Sequence, residues 1–342
     1  MTFDLILISI TTFLITLIMT PVTKKIAHHV DALDRPNDRK VHKKIIPRLG
    51  GIAIYFGFIG GFILFGKQDI SMMAVLLSSF VIIITGIIDD IKPLPASIKF
   101  AGQFLAAAIV MLYGNLYIES IGAFGYVIDF GYLKYPLTLL FILGSINAIN
   151  IIDGLDGLAA GISAIFFGTI ATIAVLMHRT GGIDVVLSLI MLGACLGFLV
   201  YNFNPASIFM GDSGSMFLGL IIAVISLSGY KNVTFTSLII PLFLLAIPIL
   251  DTLFAIIRRI LKKKKISEAD KEHLHHQLLN LTNSQRKTVL LIYLFDIIFA
   301  LTSIFYLRKD RELGMISYIT VILIVLWLVS RTTIIKDFKK KK

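Results

Sequence analysis

The sequence predicts an all-α, polytopic membrane protein, because long apolar runs follow one another along the chain and charged residues are scarce. Hydrophobic residues make up 57% of the 342 residues and charged residues only 15%, whereas soluble domains carry about 25% charged residues. The mean hydropathy is +0.89. A soluble enzyme and a disordered chain are both excluded by this composition.

Eleven apolar runs approach or reach the length that crosses a bilayer, which is about 20 residues. The runs are 3–22, 50–66, 72–88, 99–114, 135–151, 158–177, 184–201, 214–230, 236–257, 288–306 and 314–330. The first run lacks a basic flank and an Ala-x-Ala-like site, so we expect it to be a retained span. No internal repeat or linker interrupts the pattern, which indicates one integral-membrane domain over residues 1–342.

The basic residues predict the orientation. With the loop 23–49 inside, 25 of the 32 Lys and Arg residues fall on the cytoplasmic side, as the positive-inside rule requires. An odd number of spans then leaves the N-terminus outside and the C-terminus in the cytoplasm. The net charge of +11 fits basic loops at an anionic leaflet better than nucleic-acid binding. The single cysteine, Cys195, excludes a disulfide within the chain. The loop Gly114–Lys134 alternates apolar residues with glycine, which is typical of a short hairpin.

Every polar cluster of chemical interest falls on the cytoplasmic side of this arrangement. The central one is Asn147–Gly161, which interrupts two apolar runs with Asn150, Asp153 and Asp156. Ionisable groups near membrane depth are costly and mark functional sites. If this stretch is helical, Asp153 and Asp156 share one face. The alternative is a glycine-rich turn in which the aspartates serve as turn residues or N-caps.

Adjacent carboxylates end the third run, at Asp89 and Asp90. Such a pair repels itself unless it shares a cation or a proton, which points to a metal, phosphate or proton-transfer site. The alternative is a solvated helix end that Pro93 terminates. Lys99 follows at the start of the fourth run, where it could reach a phosphate or simply extend to the membrane interface.

A second acidic motif opens the eighth run, at Gly211–Ser215. Asp212 is a candidate N-cap, and free N–H groups at a helix start favour phosphate. It is also a candidate ligand for Mg²⁺, which binds few carboxylates and keeps waters or phosphate oxygens. Phe209 could stack on a base or pack in the protein.

Three histidines lie within four residues, at His273, His275 and His276. No cysteine and no His-Glu-x-x-His pattern supports zinc, so phosphate binding is the functional interpretation and a solvated loop the alternative. The basic run 262–265 resembles a lipid-headgroup patch.

The first cytoplasmic loop carries Arg39, His42 and Arg48. Alone it is a positive-inside loop, but beside the acidic clusters it could grip an anionic substrate. Carboxylates, a divalent-cation site, cationic loops and histidines on one membrane face fit phosphoryl transfer between a nucleotide compound and a lipid phosphate.

These motifs resemble those of the polyprenyl-phosphate N-acetylhexosamine-1-phosphate transferases, glycosyltransferase family 4, over roughly residues 34–290. The matching residues are Asp89-Asp90, Asn147-x-x-Asn150-x-x-Asp153-Gly-x-Asp156-Gly, Phe209-Met-Gly-Asp212-Ser-Gly-Ser, His273-Leu-His275-His276, Arg39-Lys40-x-His42 and Pro47-Arg48-Leu-Gly-Gly51. The resemblance implies transfer of a sugar-1-phosphate from a UDP-sugar to undecaprenyl phosphate, with release of UMP and dependence on Mg²⁺ or Mn²⁺.

The His-Leu-His-His pattern is similar to the UDP-GlcNAc branch, which begins teichoic acid or O-antigen synthesis in the bacterial plasma membrane. The phospho-MurNAc-pentapeptide branch, which typically has three consecutive histidines, is the alternative donor class. A transporter with a carboxylate relay is the alternative outside enzymes, although the charges cluster at one face. A second copy of the chain is a further candidate partner.

The resemblance also implies roles for single residues. Asp212 would bind the metal. Asp153 and Asp156 would lie at the nucleotide diphosphate with Asn150 nearby, and Phe209 would meet the uracil. Asp89 would deprotonate or position the lipid phosphate with Asp90 in support, and His275 and His276 would meet the phosphate or sugar. We assign Lys99, Arg39, His42, Arg48 and His273 to substrate binding.

Overall fold

The computed structural model is a bundle of long helices, and it describes residues 2–36, 44–66, 69–123, 126–178, 181–228, 239–261, 273–308, 314 and 316–324. Its principal helices are α1 (Thr2–His29), α2 (Gly50–Phe65), α3 (Ile70–Ile91), α4 (Ala96–Ala108), α5 (Lys134–Ile152), α6 (Leu158–Leu176), α7 (Ile183–Asn202), α8 (Gly211–Ser228), α9 (Ile239–Leu244), α10 (Ala246–Leu261), α11 (Leu274–Thr282) and α12 (Gln285–Arg308). A π-helical turn at Ile109–Tyr113 extends α4, and a 3-10 turn at Gly131–Leu133 precedes α5.

Two short antiparallel ribbons complete the described elements. Strands β1 (Leu33–Asp34) and β2 (Ile46–Pro47) pair Leu33 with Pro47, and this ribbon delivers the chain to the start of α2. Strands β3 (Ser120–Ala123) and β4 (Tyr126–Asp129) form the hairpin predicted between the fourth and fifth runs.

Eight helical segments in the described part of the chain are long and apolar enough to cross a membrane, which confirms a polytopic helical membrane protein. Two shorter apolar helices, Gly50–Phe65 and Ala246–Ile256, accompany them. The ninth predicted run is divided, because α9 ends at Leu244 and α10 begins at Ala246. Pro248 explains the break: it has no N–H for the carbonyl of Leu244, and its ring crowds that carbonyl. The last predicted run, 314–330, is described only as far as residue 324.

Helix α8 is the centre of the bundle. Every residue from Ser213 to Ser228 is buried, and α2, α3, α5, α6 and α7 all pack around it. Helix α1 lies at the periphery, against α2 and α7. In a membrane, helices associate through close packing of small residues rather than through the hydrophobic effect.

Glycines allow two helices to approach the beginning of α8 closely. A Cβ on Gly51 of α2 would lie 2.1 Å from the backbone nitrogen of Gly214, and one on Gly86 of α3 would lie 2.3 Å from the Cα of Ser213. These contacts are with backbone, which cannot move aside as a side chain can. At the polar end of α8, the backbones of α2 and α3 are therefore in direct contact with the backbone of α8.

We expect Gly51→Ala to lower the free energy of unfolding by about 1–3 kcal/mol, as other overpacked sites do. Gly144→Ala in α5 is the matched control, because a Cβ there meets nothing within 4 Å. That control should be neutral or gain up to about 1 kcal/mol from helix propensity. Unfolding in detergent, followed by circular dichroism, measures both. Equal stability of the two variants would contradict the close approach of α2 to α8.

Candidate active site

A cavity of about 300 Å³ lies where α5, α6, α7 and α8 meet their connecting turns. It gathers residues from motifs that are distant in the sequence. The predicted site residues that line it are Arg48, Asn150, Asp153, Asp156, Phe209, Asp212 and His276. The predicted residues Asp89, Asp90 and Lys99 contact this lining, whereas Arg39 and His42 lie outside the described residues.

Asp90 is the cap of α8, although it belongs to α3. Its Oδ1 accepts from the backbone N–H of Asp212 at 2.9 Å, and its Oδ2 accepts from the N–H and Oγ of Ser213 at 3.0 and 2.6 Å. Oδ1 also accepts from Nε and Nη2 of Arg48, at 3.2 and 2.9 Å. The prediction that Asp212 caps its own helix and leaves N–H groups free for phosphate is therefore wrong, since a carboxylate from another helix takes two of these N–H groups.

Arg48 is fixed by the same carboxylate. The backbone on either side of it is fixed too, because Phe209 N–H donates to Pro47 O at 2.7 Å and Gly50 N–H donates to Phe209 O at 2.9 Å. Burial alone would lower the pKa of the Arg48 guanidinium, but the carboxylates of Asp90 and Asp212 outweigh it and raise that pKa. Arg48 therefore stays a cation at the cavity wall.

Lys99 joins the other two carboxylates of the cluster. Its Nζ donates to Asp212 Oδ2 at 2.8 Å and to Asp89 Oδ2 at 3.3 Å, so the side chain points into the site and not toward the membrane interface. Asp89 also accepts from the backbone N–H of Leu94 at 2.8 Å, which holds the turn after α3. The adjacent aspartates thus have different environments.

The carboxylates of Asp89, Asp90 and Asp212 offer oxygen atoms within 4.8 Å of one another. Hard divalent cations prefer such oxygen ligands, so the donor set fits Mg²⁺ or Mn²⁺. Asp90 accepts five hydrogen bonds, three at Oδ1 and two at Oδ2, which fill both of its oxygens. Each oxygen of Asp89 accepts one, and Asp212 accepts from Lys99. Asp89 and Asp212 are consequently the carboxylates with more capacity left for a cation.

The central motif is helical at both ends, but residues 153–157, which include both aspartates, form a turn. Helix α5 ends at Ile152 and α6 begins at Leu158, so the prediction that Asp153 and Asp156 share a helical face is wrong and the turn alternative is correct. Asn150, in the last turn of α5, donates to Ser215 Oγ at 2.8 Å. This bond ties the end of α5 to the beginning of α8.

From this turn, Asp153 lies near the carboxylates of Asp90 and Asp212. Burial, together with repulsion from Asp212 and Asp90, raises the pKa of its carboxyl to about 8, against a smaller opposing effect of Arg48. In the protein alone, Asp153 is therefore largely protonated at neutral pH.

Asp156 holds the segment between α7 and α8. Its Oδ2 accepts from Asn204 Nδ2 and from the backbone N–H of Ala206, both at 2.9 Å. Asn202, which the sequence did not single out, accepts from Gly157 N–H at 3.1 Å and donates to Ile208 O at 2.9 Å. The segment that carries Phe209 into the cavity wall is thus attached to the turn at two points.

The histidine motif meets an aspartate that the sequence analysis missed. Asp251 of α10 is 1% exposed and accepts from Leu274 N–H at 2.7 Å, with the Nδ1 atoms of His273 and His275 each at 3.3 Å. A lone acidic residue inside the ninth apolar run was the available signal. Gln285, which lines the cavity, carried no such signal.

Comparison with known proteins identifies the family of the chain. The family model "Glycosyl transferase family 4" matches residues 72–230. The chain is 45% identical to the probable undecaprenyl-phosphate N-acetylglucosaminyl 1-phosphate transferase of Bacillus subtilis (strain 168), over 92% of this chain and 88% of the relative. The chain belongs to glycosyl transferase family 4. The family predicted from the motifs is thereby confirmed.

More distant family 4 relatives cover nearly as much of the chain. Identity is 37% to the decaprenyl-phosphate N-acetylglucosaminephosphotransferase of Mycobacterium tuberculosis (strain ATCC 25618 / H37Rv), over 93% of this chain and 87% of the relative. Identity is 30% to the undecaprenyl-phosphate alpha-N-acetylglucosaminyl 1-phosphate transferase of Escherichia coli (strain K12), over 83% and 79%. With these bacterial relatives and its membrane-spanning helices, the chain is a multi-pass protein of the bacterial plasma membrane.

The adjacent aspartates should differ when each is replaced. Asp90→Asn keeps one acceptor oxygen, but it replaces the other with an NH₂ group that faces donors and it removes the charge that pairs with Arg48. We therefore expect a loss of about 3 kcal/mol, the lower end of the usual cost of breaking a buried pair. Asp89→Asn removes a contact with a partly exposed lysine and should cost about 1 kcal/mol or less. Unfolding in detergent tests this order, which the reverse ranking would contradict.

Asp153→Asn should change how stability depends on pH. Because the native pKa is about 8 and lies above the unfolded value, folding takes up a proton between these two values, and wild-type stability falls as the pH rises through this window. The melting temperature of the variant minus that of the wild type should therefore increase from pH 5 to pH 8 and then level off. A constant difference would contradict the assignment.

Proposed function

We propose that this protein transfers N-acetylglucosamine-1-phosphate from UDP-GlcNAc to undecaprenyl phosphate, giving undecaprenyl-diphosphate-GlcNAc and UMP. The observation that carries the proposal is the joining of three motifs in one cavity: the Asp153–Asp156 turn, the segment bearing Phe209, and Asp212 beside Lys99. The family 4 relatives are named for the same transfer to undecaprenyl or decaprenyl phosphate, and those names support the donor and acceptor.

We assign different residues at the cavity to the uracil, the diphosphate and the sugar of the donor. Phe209 offers an aromatic face to the uracil, and its backbone is held on both sides by Pro47 and Gly50. Arg48 and Lys99 offer positive charge to the diphosphate. His276 lies at the cavity wall with its ring centroid 4.4 Å from that of His275, and we assign it to the phosphate or sugar.

Asp89 and Asp212 would hold Mg²⁺ or Mn²⁺. The metal, when bound, neutralises the charge that develops on the diphosphate during phosphoryl transfer. Asp90 keeps its structural contacts in this arrangement and positions Asp212 through the backbone of α8. The Nζ atom of Lys99 donates to the side chains of Asp89 and Asp212. It could turn from these carboxylates to a phosphate oxygen by rotation of the lysine side chain alone.

The reaction is a direct displacement. A phosphate oxygen of undecaprenyl phosphate forms a bond to the β-phosphorus of UDP-GlcNAc, and the bond from that phosphorus to the bridging oxygen breaks, so that UMP leaves. The lipid phosphate is already an anionic nucleophile and needs no covalent intermediate on the protein. Asp89, at the end of α3 beside Lys99, would orient the incoming phosphate.

We assign eleven spans to the protein, with the N-terminus outside, the C-terminus in the cytoplasm and the cavity on the cytoplasmic side. The distribution of Lys and Arg supports this orientation, and the supply of nucleotide sugars in the cytoplasm agrees with it. The product would begin a cell-envelope polymer of the teichoic acid or O-antigen type.

Purified protein with undecaprenyl phosphate and Mg²⁺ should release UMP from UDP-GlcNAc and should not do so with EDTA. UDP-MurNAc-pentapeptide is the comparison donor. Release with UDP-GlcNAc alone is the expected outcome. Release with the pentapeptide donor alone would overturn the donor, and no release with either would overturn the reaction.

Asp212→Asn should lower kcat by about 10²–10³-fold, which is typical for loss of one charge-stabilising group in an active site. The variant should retain the wild-type melting temperature within a few degrees, because Asp212 is partly exposed and its backbone contacts remain. Asp184→Asn, at the start of α7, is the control. It also removes a buried carboxylate, but it lies about 27 Å along the helix from the site end of α7. Equal activity of both variants would refute the role of Asp212.

A further inference from the structure

Asp251 is a buried carboxylate with three donors and no place in the reaction described above. It lies in α10 among mostly apolar residues, and only 1% of its surface is exposed. An isolated charge at such a position is costly unless it is paired and hydrogen-bonded. The donors that meet it all come from one short segment, His273–His275.

The contacts decide which ring nitrogen of each histidine carries a proton. An ionised carboxylate only accepts hydrogen bonds, so Nδ1 of His273 and Nδ1 of His275 both carry the protons that face it. The Nε2 atom of each ring is then presented on the opposite edge. Fixing one ring nitrogen by a carboxylate is the usual way in which proteins define what the other nitrogen can do.

The Nε2 edge of the His275 ring points at Gly154, in the turn between α5 and α6. A Cβ built on Gly154 would lie 2.4 Å from Nε2 of His275 and 3.1 Å from both neighbouring ring carbons, so the tip of the ring touches that glycine. Gly154 lines the cavity between Asp153 and Leu155. The ring of His275 thus passes from Asp251 on one side to the cavity wall on the other.

The helix that carries Asp251 is attached to the same frame as the turn. Helix α10 packs against α5, and α5 ends at Ile152, directly before Asp153 and Gly154. The carboxylate therefore holds His275 relative to the turn that it touches.

We propose that Asp251 is a positioning residue for the transferase reaction, which fixes the Nδ1–H tautomer of His275 and holds Nε2 of that ring against Gly154, and so supports the turn that carries Asp153. The proposal rests on the function proposed above. Asp251 itself does not touch the substrate. Turnover depends on it because it sets the orientation of the His275 ring.

A purely structural role is the competing explanation, since Asp251 also accepts from the N–H of Leu274 at the start of α11. Asp251→Asn separates the two roles. The amide oxygen of asparagine can still accept from Leu274, which preserves the helix start. Its NH₂ group donates, however, and cannot accept the Nδ1 proton of His275.

Steady-state rates of UMP release from UDP-GlcNAc test the proposal on the full chain with Mg²⁺. Asp251→Asn should lower kcat by about 10–100-fold, the range known for loss of a carboxylate behind a metal-bound histidine, while KM for UDP-GlcNAc changes by no more than about threefold. Asp251→Glu keeps an acceptor carboxylate and should recover part of the lost kcat. Asp184→Asn is the matched control for removal of a buried carboxylate and should keep wild-type kcat.

Two further variants ask whether the effect passes through His275. In a His275→Gln background, Asp251→Asn should cause little additional loss of kcat, because residues that act through one another are not additive. Gly154→Ala should reproduce the kcat defect of Asp251→Asn with both original side chains present, since its methyl group displaces Nε2 of His275. The Gly144→Ala variant controls for the added methyl group.

The outcomes separate the two proposals. A wild-type protein that releases no UMP overturns the proposed function and this inference with it. An active wild type in which Asp251→Asn keeps its kcat, or loses it equally in the presence and absence of His275, overturns the inference alone. Loss of kcat only in proportion to lost folded protein, measured by the melting temperature of each variant, also overturns it and assigns Asp251 to the structure of α11.

Discussion

The carboxylate of Asp90 joins three segments of the chain that are otherwise separate. It comes from the end of α3, it receives two N–H groups and a hydroxyl from the beginning of α8, and it binds the guanidinium of Arg48 ahead of α2. Groups enclosed by a bundle in a membrane must find their partners within the protein. Because this carboxylate satisfies five donors at once, the helix start that carries Asp212 has one position relative to Asp89 and Lys99.

The remainder of the site is built by the same means, with side chains that reach backbone atoms of distant segments. Asp156 and Asn202 attach the segment before α8 to the turn before α6, and the hydroxyl of Tyr293 in α12 donates to the carbonyl of Gly157. The turn before α6 and the segment before α8 are therefore each held by hydrogen bonds to a different part of the chain. Such support explains how residues on turns can hold an active-site geometry that is usually associated with rigid elements.

The sequence was sufficient to predict a helical membrane protein and most residues of the cavity, but it missed Asn202 and Gln285 and it did not predict the partners. Long apolar runs are a local signal, since a bilayer imposes the length of each span. Eight of the described helical segments reach that length, whereas Gly50–Phe65 is shorter and the ninth run breaks near Leu245, where Pro248 interrupts the backbone bonding. The motifs identified Asp153, Asp156 and Asp212, because each interrupts an apolar context. The cap of α8 by Asp90 joins residues more than a hundred positions apart, and no local pattern distinguishes it from a cap by Asp212. The bonds of Asp251 are equally remote from any periodicity, which is why its role emerged only from the packed structure.

The length of α1 has a consequence for where the chemistry occurs. Its 28 residues extend for about 42 Å, which exceeds the roughly 30 Å of a hydrocarbon layer, so in a bilayer α1 must tilt or extend beyond that layer. Its end leads into the β1–β2 ribbon, and Arg48, which follows this ribbon, binds Asp90 at the end of α3, which in turn accepts from the beginning of α8. The end of α1, the end of α3 and the beginning of α8 therefore lie together at one end of the bundle. With the proposed orientation, a prenyl phosphate would keep its tail among the lipid chains while its head group meets the carboxylates at this end.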